Sequence, residues 1–145
     1  MPQERKMKKT INHQYFGILS FSDETDTWYG KMDIDENKVD VELQLFLEEE
    51  IDLAANYLKR EFSKLELVEE AIVDQLYSTY CKEWSQVGRV RVEDFLKELT
   101  LTYVSIGNEG KQNFASSFSF ETSMFGGHTV VAFLDSGKIS VSLFG

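Results

Sequence analysis

Apolar positions divide the chain into three stretches. From Tyr15 to Phe46, and again from Leu99 to Phe144, apolar and polar residues tend to alternate, as in strands with one buried face. Between them, from Glu48 to Trp84, the apolar spacing changes to three and four: Ile51, Ala54, Ala55, Leu58, Phe62 and Leu65, then Val68, Ile72, Leu76 and Tyr80. That spacing predicts helices, each with one buried stripe.

In the first stretch, strands are expected at His13–Phe21, Thr27–Ile34 and Lys38–Leu45. Trp28, Gly30, Met32 and Ile34 share one side against Tyr29, Lys31 and Asp33, while Val39, Val41, Leu43 and Leu45 oppose Lys38, Asp40, Glu42 and Gln44. The helical middle is expected to break once. Ser63-Lys64-Leu65-Glu66 has the form of a capping box, with Phe62 and Leu67 placed as a hydrophobic staple. This predicts helices at Glu49–Phe62 and Lys64–Ser85, the second ended by Gly88, and a third, short one at Val92–Leu99. In the last stretch Leu101, Tyr103 and Ser105 alternate against Thr102, Val104 and Ile106. Next, Phe114, Phe118 and Phe120 form an apolar row that Ser116 interrupts. His128–Leu134 is mostly apolar, which predicts a central strand, and a hairpin turn at Asp135-Ser136-Gly137-Lys138 leads into Ile139, Val141 and Leu143. The expected fold is α+β. An antiparallel sheet is built from an N-terminal three-stranded meander and a C-terminal four-stranded block, with two to three helices inserted between them. Residues 1–145 read as a single domain, with 1–12 as a candidate disordered basic tail.

Charge sharpens this picture. The net charge is -10, and residues 22–52 hold 12 acidic side chains against two basic ones, while the rest of the chain carries 13 of each sign. Such a field disfavours nucleic acid and anionic membrane as partners and favours a basic protein partner. The competing explanation is a solubility charge spread over exposed strands and turns. No apolar run approaches a membrane span and no signal-peptide pattern opens the chain, so a cytoplasmic location is expected. The single cysteine, Cys81, cannot form an internal bridge.

Motifs for chemistry are sparse. Asp33-Ile34-Asp35-Glu36-Asn37 starts like a calcium loop, but Lys38 and Gln44 stand where that loop needs Gly and Glu, so a hairpin turn is expected. Gly107–Gly110 and Gly126-Gly127 lack the following helix and the Lys or third Gly of a phosphate cradle. No metal ligand set is indicated and no cofactor is expected. Cys81 beside Tyr80 and Trp84 reads as a small core residue, and Trp28, Tyr29, Trp84 and Tyr103 as core and rim aromatics.

Phe16-Gly17-Ile18-Leu19-Ser20-Phe21, then Trp28-Tyr29-Gly30, and finally Gly127-His128 running through Gly137 to Gly145 carry a family likeness. The chain resembles small bacterial domains of unknown function of the F-G-x-L-x-F…W-x-G…G-H type, some similar members of which are suspected immunity proteins that neutralise toxins. The resemblance implies a binding role and transfers no catalytic residue.

Two functional readings follow. In the first, the protein is a non-catalytic binding or immunity-type module whose acidic meander face docks a basic protein through Asp33, Asp35, Asp40 and Glu42 with Trp28 or Tyr29. In the second, it binds or transforms a small molecule in a pocket near His128. Monomer and homodimer both remain open, because the last strand, Lys138–Phe144, has few charges to blunt an edge.

Overall fold

A computed structural model describes residues 10–34, 36–45, 48–76, 96–108, 114–122, 128–135 and 138–144. The strands are β1 (Thr10–His13), β2 (Gly17–Ser22), β3 (Thr27–Ile34), β4 (Asn37–Gln44), β5 (Thr100–Asn108), β6 (Phe114–Glu121), β7 (Thr129–Asp135) and β8 (Lys138–Phe144). They form one eight-stranded sheet in which spatial order follows chain order. Every neighbouring pair is antiparallel except β4 with β5, which run parallel. A parallel pair cannot be joined by a tight turn. The connection accordingly contains α1 (Glu50–Phe62) and α2 (Leu65–Ile72), after which residues 73–76 continue as a wider turn of π type.

The helices cover one side of the sheet. On that inner side, Phe21, Trp28, Leu43, Ile106, Ser116, Leu134 and Ile139 stand in one row from β2 to β8. Beside it runs a second row of Gly30, Val41, Val104, Phe118, Ala132 and Val141. From above, α1 contributes Ile51, Ala54, Ala55, Tyr57 and Leu58, and α2 contributes Val68 and Ile72. Phe62 closes on Phe118 with ring centroids 5.4 Å apart, and Tyr57 lies 5.5 Å from Phe114. At Gly30 a Cβ atom would stand 2.7 Å from Leu19 Cδ2 and 3.0 Å from the Ile18 carbonyl, so glycine leaves room for Leu19 to enter the core.

Polar groups within the fold are matched. The Tyr57 hydroxyl meets Ser116 Oγ at 2.8 Å, so the serine that breaks the apolar row of β6 has a hydrogen-bond partner. The Asn108 amide donates to the buried Glu50 carboxylate, joining the start of α1 to the end of β5. At the other helix-to-sheet tie, the backbone N–H groups of Tyr15 and Phe16 donate to His13 Nδ1 at 3.0 and 3.2 Å. Nδ1 is therefore unprotonated, and Nε2–H donates to Asp52 at 2.7 Å.

This fold corrects the expected split of a three-stranded meander and a four-stranded block in an antiparallel sheet. One continuous mixed sheet of eight strands is present, with only two short helices among the described residues. The N-terminal strand expected at His13–Phe21 divides at a turn anchored by His13, and Thr10–Asn12, expected in the tail, pair with β2 as an edge strand. The capping box does not form. Ser63 Oγ donates instead to the Arg60 carbonyl at 2.6 Å and closes the end of α1, while Lys64, at the start of α2, makes no side-chain cap. Only the first part of the second predicted helix is described, as α2, and Cys81 and Trp84 lie outside the described residues. The third predicted helix is described only from Leu96, where one helical turn leads into β5. The mostly apolar β7 is next to last in the sheet rather than central, and its outer side carries Val131 and the exposed Phe133. No helix among the described residues is long and apolar enough to cross a membrane.

Candidate functional site

Opposite the helices, the outer side of the sheet has its own register. Ser20, Tyr29, Glu42, Ser105, Ser117, Phe133 and Ser140 form one row across β2 to β8. Lys31, Asp40, Tyr103, Ser119, Val131 and Ser142 form the next. A bulge between Leu101 and Tyr103 determines what reaches this side. Simple alternation puts Leu101 and Tyr103 together. The extra residue, Thr102, changes that: Leu101 pairs with Phe120 over the core, and Tyr103 joins Ser105 on the outer side.

Around Tyr103 the sheet forms an open concavity of about 570 Å³, with a floor at Gly30 and Val41 and walls of Ile18, Ser20, Tyr29, Lys31, Asp40 and Tyr103. Its rim is apolar and aromatic: Ile18 is 63% exposed and Tyr29 39%. Beside it, Glu42 accepts hydrogen bonds from the Tyr103 hydroxyl and, at 3.2 Å, from Ser105 Oγ. Burial, and then the hydrogen bond to Glu42 with the negative charge of that carboxylate, push the Tyr103 hydroxyl well above the usual tyrosine range. Tyr103 thus remains a donor at neutral pH and holds one orientation of the Glu42 carboxylate.

The acidic residues singled out from the sequence divide between locations. Asp33, Asp40 and Glu42 stand on the outer side with Tyr29, but Lys38 pairs with Asp33 at 2.9 Å and Lys31 with Asp40 at 3.9 Å. Three carboxylates against two lysines leave a surplus of one negative charge on this part of β3 and β4. Trp28 is not on this face. It is buried at 3% exposure on the helix side, with its ring 5.0 Å from Phe21, because it has the parity opposite to Tyr29. Asp35 lies outside the described residues, while Glu36 beside it adopts φ 70° in the β3–β4 hairpin turn, where the calcium-loop pattern fails. The remaining early acids are elsewhere, with Asp23, Glu24 and Asp26 in the β2–β3 turn and Glu48, Glu49, Glu50 and Asp52 around the start of α1. His128 is exposed immediately before β7 and lines neither concavity described here.

Two features escaped the sequence reading. The first is the concavity itself: alternation with Val104 and Ile106 already places Tyr103 on the outer side, but the bulge, which a period of two cannot reveal, sends Leu101 away from it to the core. The second is a trough of about 440 Å³ along α2, lined by Glu66, Glu69, Glu70, Val73, Asp74 and Leu96. Its carboxylates recur at helical spacing, so that signal was present in the sequence. Among the described residues no three His, Cys, Asp or Glu side chains stand close enough to hold a metal ion. Comparisons with family models, with curated proteins and with solved structures find no match.

Proposed function

We propose that this chain is a non-catalytic protein-binding module, of the immunity type its motifs resemble, and that the outer side of β2–β5 docks a basic partner. The observation that supports this reading is the concavity between Tyr29 and Tyr103, beside a carboxylate already held by two hydroxyls. A cationic side chain entering there meets ring faces and a fixed acceptor, so little side-chain ordering is required of this protein on binding. Ile18 and Tyr29 supply apolar area at the rim, and the overall charge of -10 favours encounter with a positively charged protein. Charge alone does not select this face, because Lys31 and Lys38 offset much of it. Rigid strands, aromatic walls and an oriented Glu42 distinguish it.

The test is site-specific photo-cross-linking in the native cell, with a benzophenone amino acid replacing Tyr29 and, in a control, His128. The expected result is an adduct with a basic protein at position 29, with a yield that falls as salt rises and is lost in the Asp40→Lys, Glu42→Lys double variant. Adducts of equal yield at both positions, or adducts indifferent to the charge reversal, would refute the reading.

A further inference from the structure

We propose that the outer edge of β8 is a surface for pairing with a second copy of this chain, and that Gln75 occupies it in the free protein. Among the described strands β8 is the last of the sheet, and its one strand partner there is β7. Successive residues of a strand direct their backbone groups to alternate sides. On β8 the outward set is identified by its contacts: the Val141 N–H donates to Gln75 Oε1 at 2.9 Å, and Gln75 Nε2 donates to the Ile139 carbonyl at 3.3 Å. A residue of a parallel neighbouring strand would bond this same pair, accepting from one N–H and donating to the carbonyl two residues earlier. The primary amide of Gln75 has the matching donor and acceptor. One side chain from the turn after α2 therefore stands in for a ninth strand.

The edge beneath it lacks most of the features that discourage strand addition. β8 reads Lys-Ile-Ser-Val-Ser-Leu-Phe, without proline and with Lys138 as its only charge. Its pattern is also self-complementary. About a two-fold axis through Val141, Val141 would face Val141 of the second copy and Ile139 would face Leu143, extending the apolar row on the helix side, while Ser140 would face Ser142 outside. The chain's -10 charge does not oppose this contact locally, since β8 contributes none of the acids.

The experiment is sedimentation velocity on the full chain across a concentration series, together with amide exchange at Val141. Wild type is expected to be monomeric with a protected Val141 N–H, and Gln75→Ala to dimerise with a dissociation constant roughly tenfold lower or better, as expected from the loss of two competing hydrogen bonds. Adding Val141→Pro, which removes the outward N–H without touching the pairing to β7, should restore the monomer. Gln75→Glu accepts from Val141 but cannot donate to Ile139, so it should fall between; it is the deciding variant if the alanine form loses its far-ultraviolet helix signal. A wild type that associates as strongly as Gln75→Ala overturns the proposal. So does a folded set of Gln75 variants that stays monomeric at every concentration.

Discussion

Two tyrosine hydroxyls on opposite sides of the sheet show how differently the same strands are used. On the inner side, the Tyr57 hydroxyl meets Ser116 within the core. Burial raises the pKa of Tyr57 above its ordinary value, and the bond makes two buried polar groups compatible with the apolar rows around them. On the outer side the Tyr103 hydroxyl meets Glu42, but there the face is half open and the carboxylate keeps acceptor capacity toward solvent. The first bond allows the core to close; the second holds an acid in one place on a surface that neither α1 nor α2 covers. Adjacent strands β5 and β6 thus turn one face to the core beneath the helices and the other to the outer side of the sheet.

That contrast can be broken most forcefully at Phe118. Phe118→Ala removes a fully buried ring and should cost about 3–5 kcal/mol in denaturant unfolding, whereas Phe133→Ser on the outer side should remain within about 0.5 kcal/mol of wild type. An equal loss at both would mean that the outer face is covered after all. Tyr57→Phe should cost about 1–3 kcal/mol by leaving the Ser116 hydroxyl without its partner, and adding Ser116→Ala should recover much of it. Gly30→Ala should cost about 1–3 kcal/mol through overpacking against Leu19, less so in a Leu19→Ala background, so that the two changes are non-additive in a double-mutant cycle.

Alkaline titration sharpens the outer half of the comparison. Because the folded pKa of Tyr103 is raised, its contribution to stability is complete below the unfolded tyrosine value of about 10 and is lost as pH rises toward the folded value. Urea midpoints measured from neutral to alkaline pH should therefore fall above about pH 10, and Tyr103→Phe should reduce that fall. An identical pH profile in the variant would remove Tyr103 from the account. The smallest effect is expected at Asp33→Asn, which breaks an exposed pair with Lys38 and should change stability by less than about 0.5 kcal/mol.

Much of the core was legible before any coordinates. The alternation in β4 and β6 identified Val41, Leu43, Phe118 and Phe120 as inward, and all are buried, whereas Trp28, expected at the docking face, is buried too. The i, i+3, i+4 spacing of Ile51, Ala54, Ala55 and Leu58 likewise identified the stripe that α1 buries. What failed depended on a neighbour that local pattern does not contain. The Ser63 hydroxyl had two backbone acceptors or donors within reach and bonded the turn behind it. Leu101 reached the core because a bulge added one residue to the count. Proximity along the chain also overstated the acidic site: the early carboxylates are dispersed over a face, a turn and a helix start, and lysines across the β3–β4 ladder neutralise part of what remains.

By itself the sequence determined which residues of β4, β6 and α1 would turn inward and where the period would change from two to about 3.6, because both follow from backbone geometry and the expulsion of apolar surface from water. Only the tertiary structure decided that β4 and β5 run side by side in parallel, that Tyr103 stands beside Glu42, and that Gln75 lies along the last strand. Those contacts join residues about 60 positions apart or more. Such pairings are selected by the packing of whole elements against one another, and the local rules of periodicity, capping and turn formation carry no term that specifies them.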